Sequence, residues 1–385
     1  MEFKAKKIII IAPAHDESDH RVQRSIKLLS LYFDEVIVYF EKHLSSSLKP
    51  QNRKVKYKYF SINKNPINLL FPNTSFIKEK DLHNCNAFYI HEPGLLGLFL
   101  ARSLNNKFQN KSIIYDYHDW IPWEITYQLK KTHLPTFFIS FISFFITAFL
   151  KMFFYKLKLK AIVGISSGQI DSLVSFLNLQ KIESISVPNT RIKIPDVFQA
   201  EKKNLDFLWV GNITPGRNLE LIDNYIRRLN LNRHKKVKLA YIGKPFHSLI
   251  GNYDPSSSEY LGSFSNDMDI ISKINNHPYV GIFLGWNDVN NTNINSIASV
   301  NKIYSFINIG VPFLISSKLA NMIKTLRIPE RMIVTDFNDF HLKFVKIENN
   351  YELYQSMVYD LKKQIKWDSE VESGLKEFYQ KCYEN

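Results

Sequence analysis

Asn301 and Lys302 open a short segment with helical spacing, which is followed by a Gly-Pro turn and a buried strand. The exposed N–H groups and the positive dipole end of such a helix favour an anion. Gly310 can end the helix in a left-handed conformation, and Pro312 prevents the helix from restarting. Together, the helix, turn and strand of Ala298–Ser316 predict a ligand-binding element.

Polar side chains also follow buried strands in the first half of the chain. His118 comes directly after an apolar strand and is flanked by Asp116 and Asp119. A lone histidine is more often a hydrogen-bonded core residue, but the aspartates and the strand-end position favour a functional role. His91 and Glu92, which follow the preceding strand, are weaker candidates for ligand contacts.

The first strand is followed by a polar junction and a helix with Val22, Ile26 and Leu29 on one face. Asp19 stands where a helix N-cap is expected. Two interpretations of this junction are equally favoured. In one, Asp19 caps the helix and Arg21 pairs with a carboxylate, and in the other these side chains contact a substrate.

A second strand, loop and helix start occurs at Leu208–Glu220. Gly211 and Gly216 allow the backbone to approach a ligand closely, and Arg217 offers a guanidinium fork to an anion. A similar glycine turn follows the next strand, at Gly243 and Lys244.

Composition limits the class of protein. The chain has 385 residues, which suits two domains. Its formal net charge of +14 fits an acidic partner, namely nucleic acid, anionic lipid or a phosphate-bearing substrate, and it fits equally a basic surface that is simply solvated. Cys85 and Cys382 are the only cysteines, so a disulfide framework and a cysteine-based zinc site are excluded. The apolar run Ile8–Ala12 is too short for a signal peptide and indicates a buried first strand.

Short apolar runs recur, each followed by a polar turn and a helical pattern, as in an alternating β/α protein with parallel sheets. The pattern is interrupted between Pro188 and Asn204, so we expect two doubly wound domains, residues 1–195 and 196–366, and a C-terminal helix over about 367–385. Ligands of such sheets bind beyond the carboxyl ends of the strands. The predicted strands are Lys7–Pro13, Glu35–Phe40, Ala87–His91, Ser112–Asp116, Ala161–Ile165, Ser184–Val187, Asp206–Gly211, Val237–Ile242, Val280–Leu284, Pro312–Ile315 and Met332–Thr335.

The segment from Leu134 to Leu150 carries no charge and is followed by Lys151, Lys156, Lys158 and Lys160. At about 1.5 Å per residue it barely crosses a bilayer core, and a span here would separate two strands of the first domain. Two interpretations are equally weighted: an interfacial segment that docks on anionic lipid, and a buried core helix.

The Ala298–Ser316 tract resembles the "PNKLFEYMAAGKPVIAS" element of GT-B glycosyltransferases of family 4. Four further segments resemble family motifs in the same order: the "D-x-RV-x-R-E" segment at Asp19–Arg24, "YDxHD" at Tyr115–Asp119, the "VGR-x-x-x-x-KG" loop at Val210–Asn218, and "IIGDG" at Tyr241–Lys244. The resemblance implies a GT-B fold, in which two Rossmann-like domains face each other across a cleft and the C-terminal helix returns to the first domain.

The resemblance also implies roles for individual residues. In the family the histidine of the "YDxHD" motif lies beside the donor sugar. The loops of the second domain hold the donor nucleotide and its diphosphate. The residues that match these roles are the catalytic pair His118 and Asp119, the donor-binding residues Gly211, Arg217, Gly243, Lys244, Asn301, Lys302 and Ser305, and the acceptor-side residues Asp19, Arg21, His91 and Glu92.

The resemblance thus implies transfer of a sugar from a nucleotide-diphosphate sugar to a glycan or lipid-linked glycan, with retention of configuration and without a metal or cofactor. We expect a cytoplasmic protein on the inner face of the membrane that assembles a bacterial surface polysaccharide and binds no nucleic acid. Ile297 and Ser305 stand where the family has its E-x7-E pair. This departure favours an alternative, a catalytically silent GT-B protein that acts as a partner or scaffold.

Overall fold

The computed structural model describes residues 6–13, 15, 17, 19–41, 50, 52–61, 72, 74–91, 94–117, 129, 135–179, 181–188, 193–196, 205–211, 219–231, 233–243, 258–264, 266–274, 277–285 and 300–384. The chain divides into two compact units, Met1–Asn189 with Glu370–Asn385, and Thr190–Ser369. The boundaries predicted from the sequence, after residue 195 and at about residue 367, lie close to these positions.

Within the described residues, the first unit has a seven-stranded parallel sheet with the order β3-β2-β1-β4-β5-β6-β7. The strands are β1 (Lys7–Ala12), β2 (Glu35–Glu41), β3 (Val55–Phe60), β4 (Cys85–His91), β5 (Ser112–Tyr117), β6 (Ala161–Gly164) and β7 (Glu183–Ser186). Its helices are α1 (His20–Leu29), α2 (Glu79–Leu82), α3 (Leu95–Lys107), α4 (Thr136–Phe154) and α5 (Ser167–Leu177).

This sheet is covered on both faces, because successive side chains of a strand point to opposite sides. Ile9 and Ile11 of β1 lie in one buried cluster, together with side chains of α3, α4 and α5. Ile8 and Ile10 lie in the other, together with side chains of α1 and of the C-terminal helix. The apolar run Ile8–Ala12 of β1 is therefore explained by burial on both sides.

The second unit has a six-stranded parallel sheet among its described residues, with the order β10-β9-β8-β11-β12-β13. The strands are β8 (Asp206–Val210), β9 (Leu239–Ile242), β10 (Ser258–Tyr260), β11 (Tyr279–Phe283), β12 (Phe313–Ser316) and β13 (Ile333–Val334). The helices are α6 (Leu219–Asn230), α7 (Asp267–Ile274), α8 (Asn301–Ile309), α9 (Ala320–Leu326), α10 (Phe337–Asn349) and α11 (Tyr351–Gln364).

The last helix, α12 (Asp368–Glu384), returns to the first unit, as the resemblance implied. The hydroxyl of Tyr379 donates to that of Tyr89 in β4 at 3.0 Å, and Lys27 of α1 pairs with Glu372 at 2.7 Å. Tyr379 and Leu375 are buried in the same cluster as Val22 of α1. The helix is thus part of the core of the first unit.

All the predicted strands are present, with ends shifted by one or two residues, and two further strands were not predicted. Both of these, β3 and β10, lie at the edge of their sheet. The β3 sequence alternates lysine with aromatic residues and has a mixed burial pattern. A search for continuous apolar runs finds strands that are buried on both faces, and it therefore misses edge strands with an alternating sequence such as β3.

Candidate active site

The junction after β1 is organised by Asp19, which caps α1. Its Oδ1 accepts from the backbone N–H groups of Arg21 (2.9 Å) and Val22 (3.0 Å), and its Oδ2 lies 2.9 Å from Nδ1 of His15. The predicted N-cap is confirmed. Burial opposes ionisation of Asp19, but the hydrogen bond with His15 and the charges of His15 and His91 hold its pKa below its ordinary value.

Arg21, in the first turn of α1, reaches the carboxyl end of β5. Its Nε donates to Oδ2 of Asp116 at 3.3 Å and its Nη2 pairs with Oδ1 of the same carboxylate. Burial disfavours the guanidinium charge, but Asp116 outweighs this effect and raises the pKa of Arg21. The structure therefore shows the ion-pair interpretation of this junction, and a direct contact of Asp19 or Arg21 with an acceptor stays a prediction.

Asp116 is the centre of a buried polar network. It is 1% exposed and also accepts a hydrogen bond from the hydroxyl of Tyr89 at 2.9 Å. Burial and the charge of Asp116 raise the pKa of Tyr89 well above its ordinary value, so this phenol remains a donor. Because Tyr89 in turn accepts from Tyr379, the network joins the ends of β4 and β5 to α1 and α12.

His91, at the end of β4, is fully buried beside this network. Its Nδ1 lies 2.8 Å from Oδ2 of Asp116, and its ring centroid lies 4.6 Å from that of His15 in an edge-on arrangement. Its enclosed ring is placed to position Asp116 and His15, and the predicted acceptor contact of His91 stays a prediction.

His15, Asp19 and His91 are also spaced so that they could hold a metal ion, with ligand atoms within 4.8 Å of one another. However, Asp19 already accepts from two backbone N–H groups of α1 and lies within hydrogen-bond distance of His15. These hydrogen bonds account for the position of the carboxylate. The cluster is therefore explained as a helix cap that also fixes the His15 ring.

Replacing Asp19 with alanine is expected to destabilise the protein by about 0.5–2 kcal/mol, because two N–H groups of α1 lose their acceptor. The pKa of Asp19 is lower in the folded than in the unfolded state, so its contribution is present above the ordinary carboxyl pKa of 3.8 and is lost as the pH falls. Urea unfolding of both proteins between pH 7 and pH 3 measures this difference. A difference that grows towards pH 3 would contradict the assignment.

In the second unit, two glycine turns lie at the carboxyl ends of adjacent strands. Gly211 follows β8 with a φ of +106°, and Gly243 follows β9 with a φ of +155°. A Cβ atom on Gly243 would lie 2.3 Å from the carbonyl oxygen of Gly211. Both positions thus require glycine, which leaves the backbone open to a close-fitting ligand.

Lys302 lies directly beside the turn at Gly211. A Cβ atom on Gly211 would lie 3.2 Å from its Nζ, and Nζ lies 4.9 Å and 5.3 Å from the ring centroids of Trp209 in β8 and Phe283 in β11. Two strand ends therefore hold the ammonium group by cation–π contacts. Lys302 belongs to the first turn of α8, whose N-cap, Val300, offers no side-chain cap. The helix ends at Gly310 in the left-handed conformation, as predicted.

Ser305 lies one turn after Lys302 in α8 and is 3% exposed. Its hydroxyl donates to Oδ1 of Asp267 at 3.0 Å, and the amide of Asn308 donates to Oδ2 at 2.8 Å. The side chain thus joins α8 to α7 in the interior. A ribose contact by Ser305 stays a prediction, and the donor site proposed below does not use it.

Several predicted residues lie outside the described part of the chain: both catalytic candidates and several binding candidates, namely His118, Asp119, Glu92, Arg217 and Lys244. Conversely, sequence reasoning gave no ligand-related role to Trp209, and it did not pair Asp116 with Arg21. The only signal in the sequence for Trp209 and Asp116 was their position at the carboxyl end of a strand.

No known protein-family profile matches the chain. No curated protein sequence matches it either. Solved structures do match along its whole length. A glycosyltransferase from Rickettsia africae is 13% identical and aligns with 99% of each chain at a TM-score of 0.63. The structure of Anabaena HepE in complex with UDP and glucose is 9% identical. It aligns with 97% of this chain and 99% of its own chain at a TM-score of 0.61.

An E. coli structure described as trehalose-6-phosphate bound with UDP-2-fluoro glucose is 10% identical. It aligns with 97% of this chain and 99% of its own chain at a TM-score of 0.61. These similarities, together with the two parallel sheets and their flanking helices, show that the chain has the GT-B fold. At such low identity they show the fold alone.

Proposed function

We propose that this GT-B protein is a glycosyltransferase that moves a sugar from a nucleotide-diphosphate sugar to a hydroxyl group of a glycan or lipid-linked glycan. The observation that carries the proposal is the position of Lys302. Its ammonium group lies at the start of α8 and beside the glycine turn that follows β8, where a diphosphate would meet both. The UDP-bound HepE structure shares the fold and supports a nucleotide as the ligand.

In the proposed reaction the acceptor oxygen forms a bond to the anomeric carbon, and the bond from that carbon to the diphosphate oxygen breaks. The acceptor hydroxyl loses its proton, and the nucleoside diphosphate leaves with the bonding electrons. Lys302, the N-terminus of α8 and Arg217 stabilise the developing charge, so neither a metal ion nor another cofactor is required. His118 and Asp119 act near the anomeric carbon, whose configuration is retained.

The glycine turns and α8 would contact the donor through Gly211, Gly243, Lys244 and Asn301. The end of β1 and the start of α1 would meet the acceptor, with Asp19 and Arg21 held in place by His15 and Asp116. We further propose that the acceptor belongs to a bacterial surface polysaccharide.

Titration with UDP, GDP, ADP and CMP tests the donor site. We expect one nucleotide to bind with a clear preference, because the base and the diphosphate both contact the second unit. Calorimetry with each nucleotide measures the affinity without knowledge of the sugar or the acceptor. If none of the four binds, the proposed donor site is wrong.

Lys302→Ala and Arg217→Ala are each expected to weaken binding of the preferred nucleotide by about 1.5–3 kcal/mol, because each removes a charge-assisted contact with the diphosphate. This corresponds to an increase in Kd of roughly 10- to 150-fold. Lys324→Ala, on an exposed position of α9, is the matched control and should leave the affinity unchanged. An unchanged affinity in both site variants, with the fold intact by circular dichroism, would remove these residues from the site.

The alternative function is a silent GT-B protein that serves as a partner or scaffold. It is favoured by Ser305, which replaces a glutamate of the family pattern and whose hydroxyl is engaged by Asp267. Such a protein could bind the nucleotide but would not turn over the donor sugar. Turnover therefore distinguishes the two functions.

A further inference from the structure

Helix α4 carries an uncovered aromatic surface. Six of its phenylalanines expose half of their side chain or more: Phe137, Phe138, Phe141, Phe144, Phe145 and Phe149, which we call the aromatic face. Their rings touch in series, with centroids 6.4 Å apart for Phe137 and Phe141 and 4.7 Å apart for Phe141 and Phe145. At about 200 Å² per side chain, the exposed area is on the order of 700 Å², above the roughly 300–600 Å² typical of a monomer's largest patch. Such a surface indicates an interaction.

The opposite side of α4 is fixed to the first unit. Ile139, Leu150 and Phe154 are almost fully buried, and the ring centroid of Phe154 lies 5.2 Å from that of Phe99 in α3. The helix also lies in sequence between β5 and β6, which pair directly in the sheet. Residues 137–154 are long and apolar enough to cross a bilayer, with a mean hydropathy of 2.1. Crossing would nevertheless require α4 to leave this core.

Positive charges border the aromatic face. Lys151 is exposed in the last turn of α4, and Lys156, Lys158 and Lys160 are exposed immediately after it. Leu157, between two of these lysines, is buried, so the chain here is anchored while its charges point outward. No acidic residue occurs in the sequence between Glu124 and Asp171. The charge of this region is therefore uniformly basic.

We propose that the aromatic face and these four lysines form an interfacial docking surface for the anionic, cytoplasmic leaflet of a membrane. The helix lies in the plane of the interface, with the phenylalanines at the level of the acyl chains and the lysines among the headgroups. An anionic bilayer complements both the apolar and the basic part of the surface. A second copy of the chain would instead bring another net charge of +14 towards it. The proposal stands independently of the transfer reaction.

Sedimentation with phosphatidylcholine vesicles, with and without phosphatidylglycerol, tests the electrostatic part. We expect much stronger binding to the anionic vesicles and partial release at raised salt. Lys156→Glu/Lys158→Glu/Lys160→Glu should lower the partition coefficient by at least about tenfold. Lys235→Glu/Lys238→Glu/Lys324→Glu changes the net charge equally on exposed positions of the second unit and should bind as the wild type does. Equal binding to both vesicle types, or equal losses in both variants, would overturn the proposal.

The apolar part is tested by Phe137→Ser/Phe141→Ser/Phe144→Ser, since these exposed positions can change without opening the core. We expect the partition coefficient for the vesicles to fall by about tenfold or more. The matched control, Leu231→Ser/Leu342→Ser/Leu353→Ser, changes exposed leucines of the second unit and should have no effect. Nucleotide affinity, measured on the same proteins, should remain that of the wild type and reports separately on the proposed function.

Two further outcomes would replace this proposal with another. If the wild type stays in the vesicle pellet after alkaline carbonate extraction, α4 crosses the bilayer rather than lying on it. If the protein is a dimer without lipid and the phenylalanine variant is a monomer, the aromatic face is a contact between copies. The expected result is a monomer in solution whose vesicle binding is partly released by raised salt and lost on carbonate extraction.

Discussion

Asp116→Ala is expected to destabilise the first unit by about 3–5 kcal/mol, because it removes the carboxylate that balances the buried guanidinium charge of Arg21. Asp116 is 1% exposed and Arg21 is 9% exposed, so water cannot readily replace the lost partner. The variant also removes the acceptor of the Tyr89 hydroxyl, which burial keeps in its protonated form. Urea denaturation followed by circular dichroism measures the loss.

Two companion variants make this result specific. Asp171→Ala removes an exposed carboxylate from α5 and should change the stability little. Arg21→Met/Asp116→Ala removes both charges, so it should cost much less than the sum of the two single changes. A single Asp116→Ala variant that stays within about 1 kcal/mol of the wild type would show that the pair does not hold α1 on the sheet.

His118→Ala is expected to lower turnover by about 100-fold or more, because the proposed role of this side chain is exerted near the anomeric carbon as the bond to the diphosphate breaks. Nucleotide affinity should change little, since the proposed contacts with the diphosphate belong to the second unit. Steady-state rates at saturating donor, together with calorimetric titration of the nucleotide, separate the two effects.

The matched control is His234→Ala, which removes an exposed histidine of the second unit and should leave both quantities unchanged. A variant of His118 that loses affinity but retains the normal rate at saturating donor would contradict the proposed position of His118. It would place the side chain in the nucleotide site instead.

The sequence predicted the fold well because the buried strands of a doubly wound sheet are continuous apolar runs. Ile8–Ala12 and Val280–Leu284 are examples, and both coincide closely with strands of the structure. Two edge strands, β3 and β10, escaped because neither contains a continuous run of buried apolar residues. The cap by Asp19 and the left-handed end of α8 at Gly310 were predictable for a different reason, since each depends on local backbone chemistry.

The contacts within the candidate site were less accessible from the sequence. Arg21 and Asp116 are far apart in the chain, and Lys302 meets Gly211 and Trp209 only because their strands and helix converge at one edge of a sheet. The sequence placed each residue at a strand end or a helix start. It could not reveal that Ser305 turns its hydroxyl towards Asp267, since this depends on the packing of α8 against α7.

Release of nucleoside diphosphate from the preferred donor tests most directly whether the chain turns over a nucleotide sugar. We expect repeated turnover, slow with water alone and faster with an acceptor glycan, with most of the activity lost in His118→Ala. The sugar should first appear with the configuration of the donor. A wild-type protein that binds the nucleotide but releases no diphosphate, with or without acceptor, would contradict the proposed turnover and support the silent alternative.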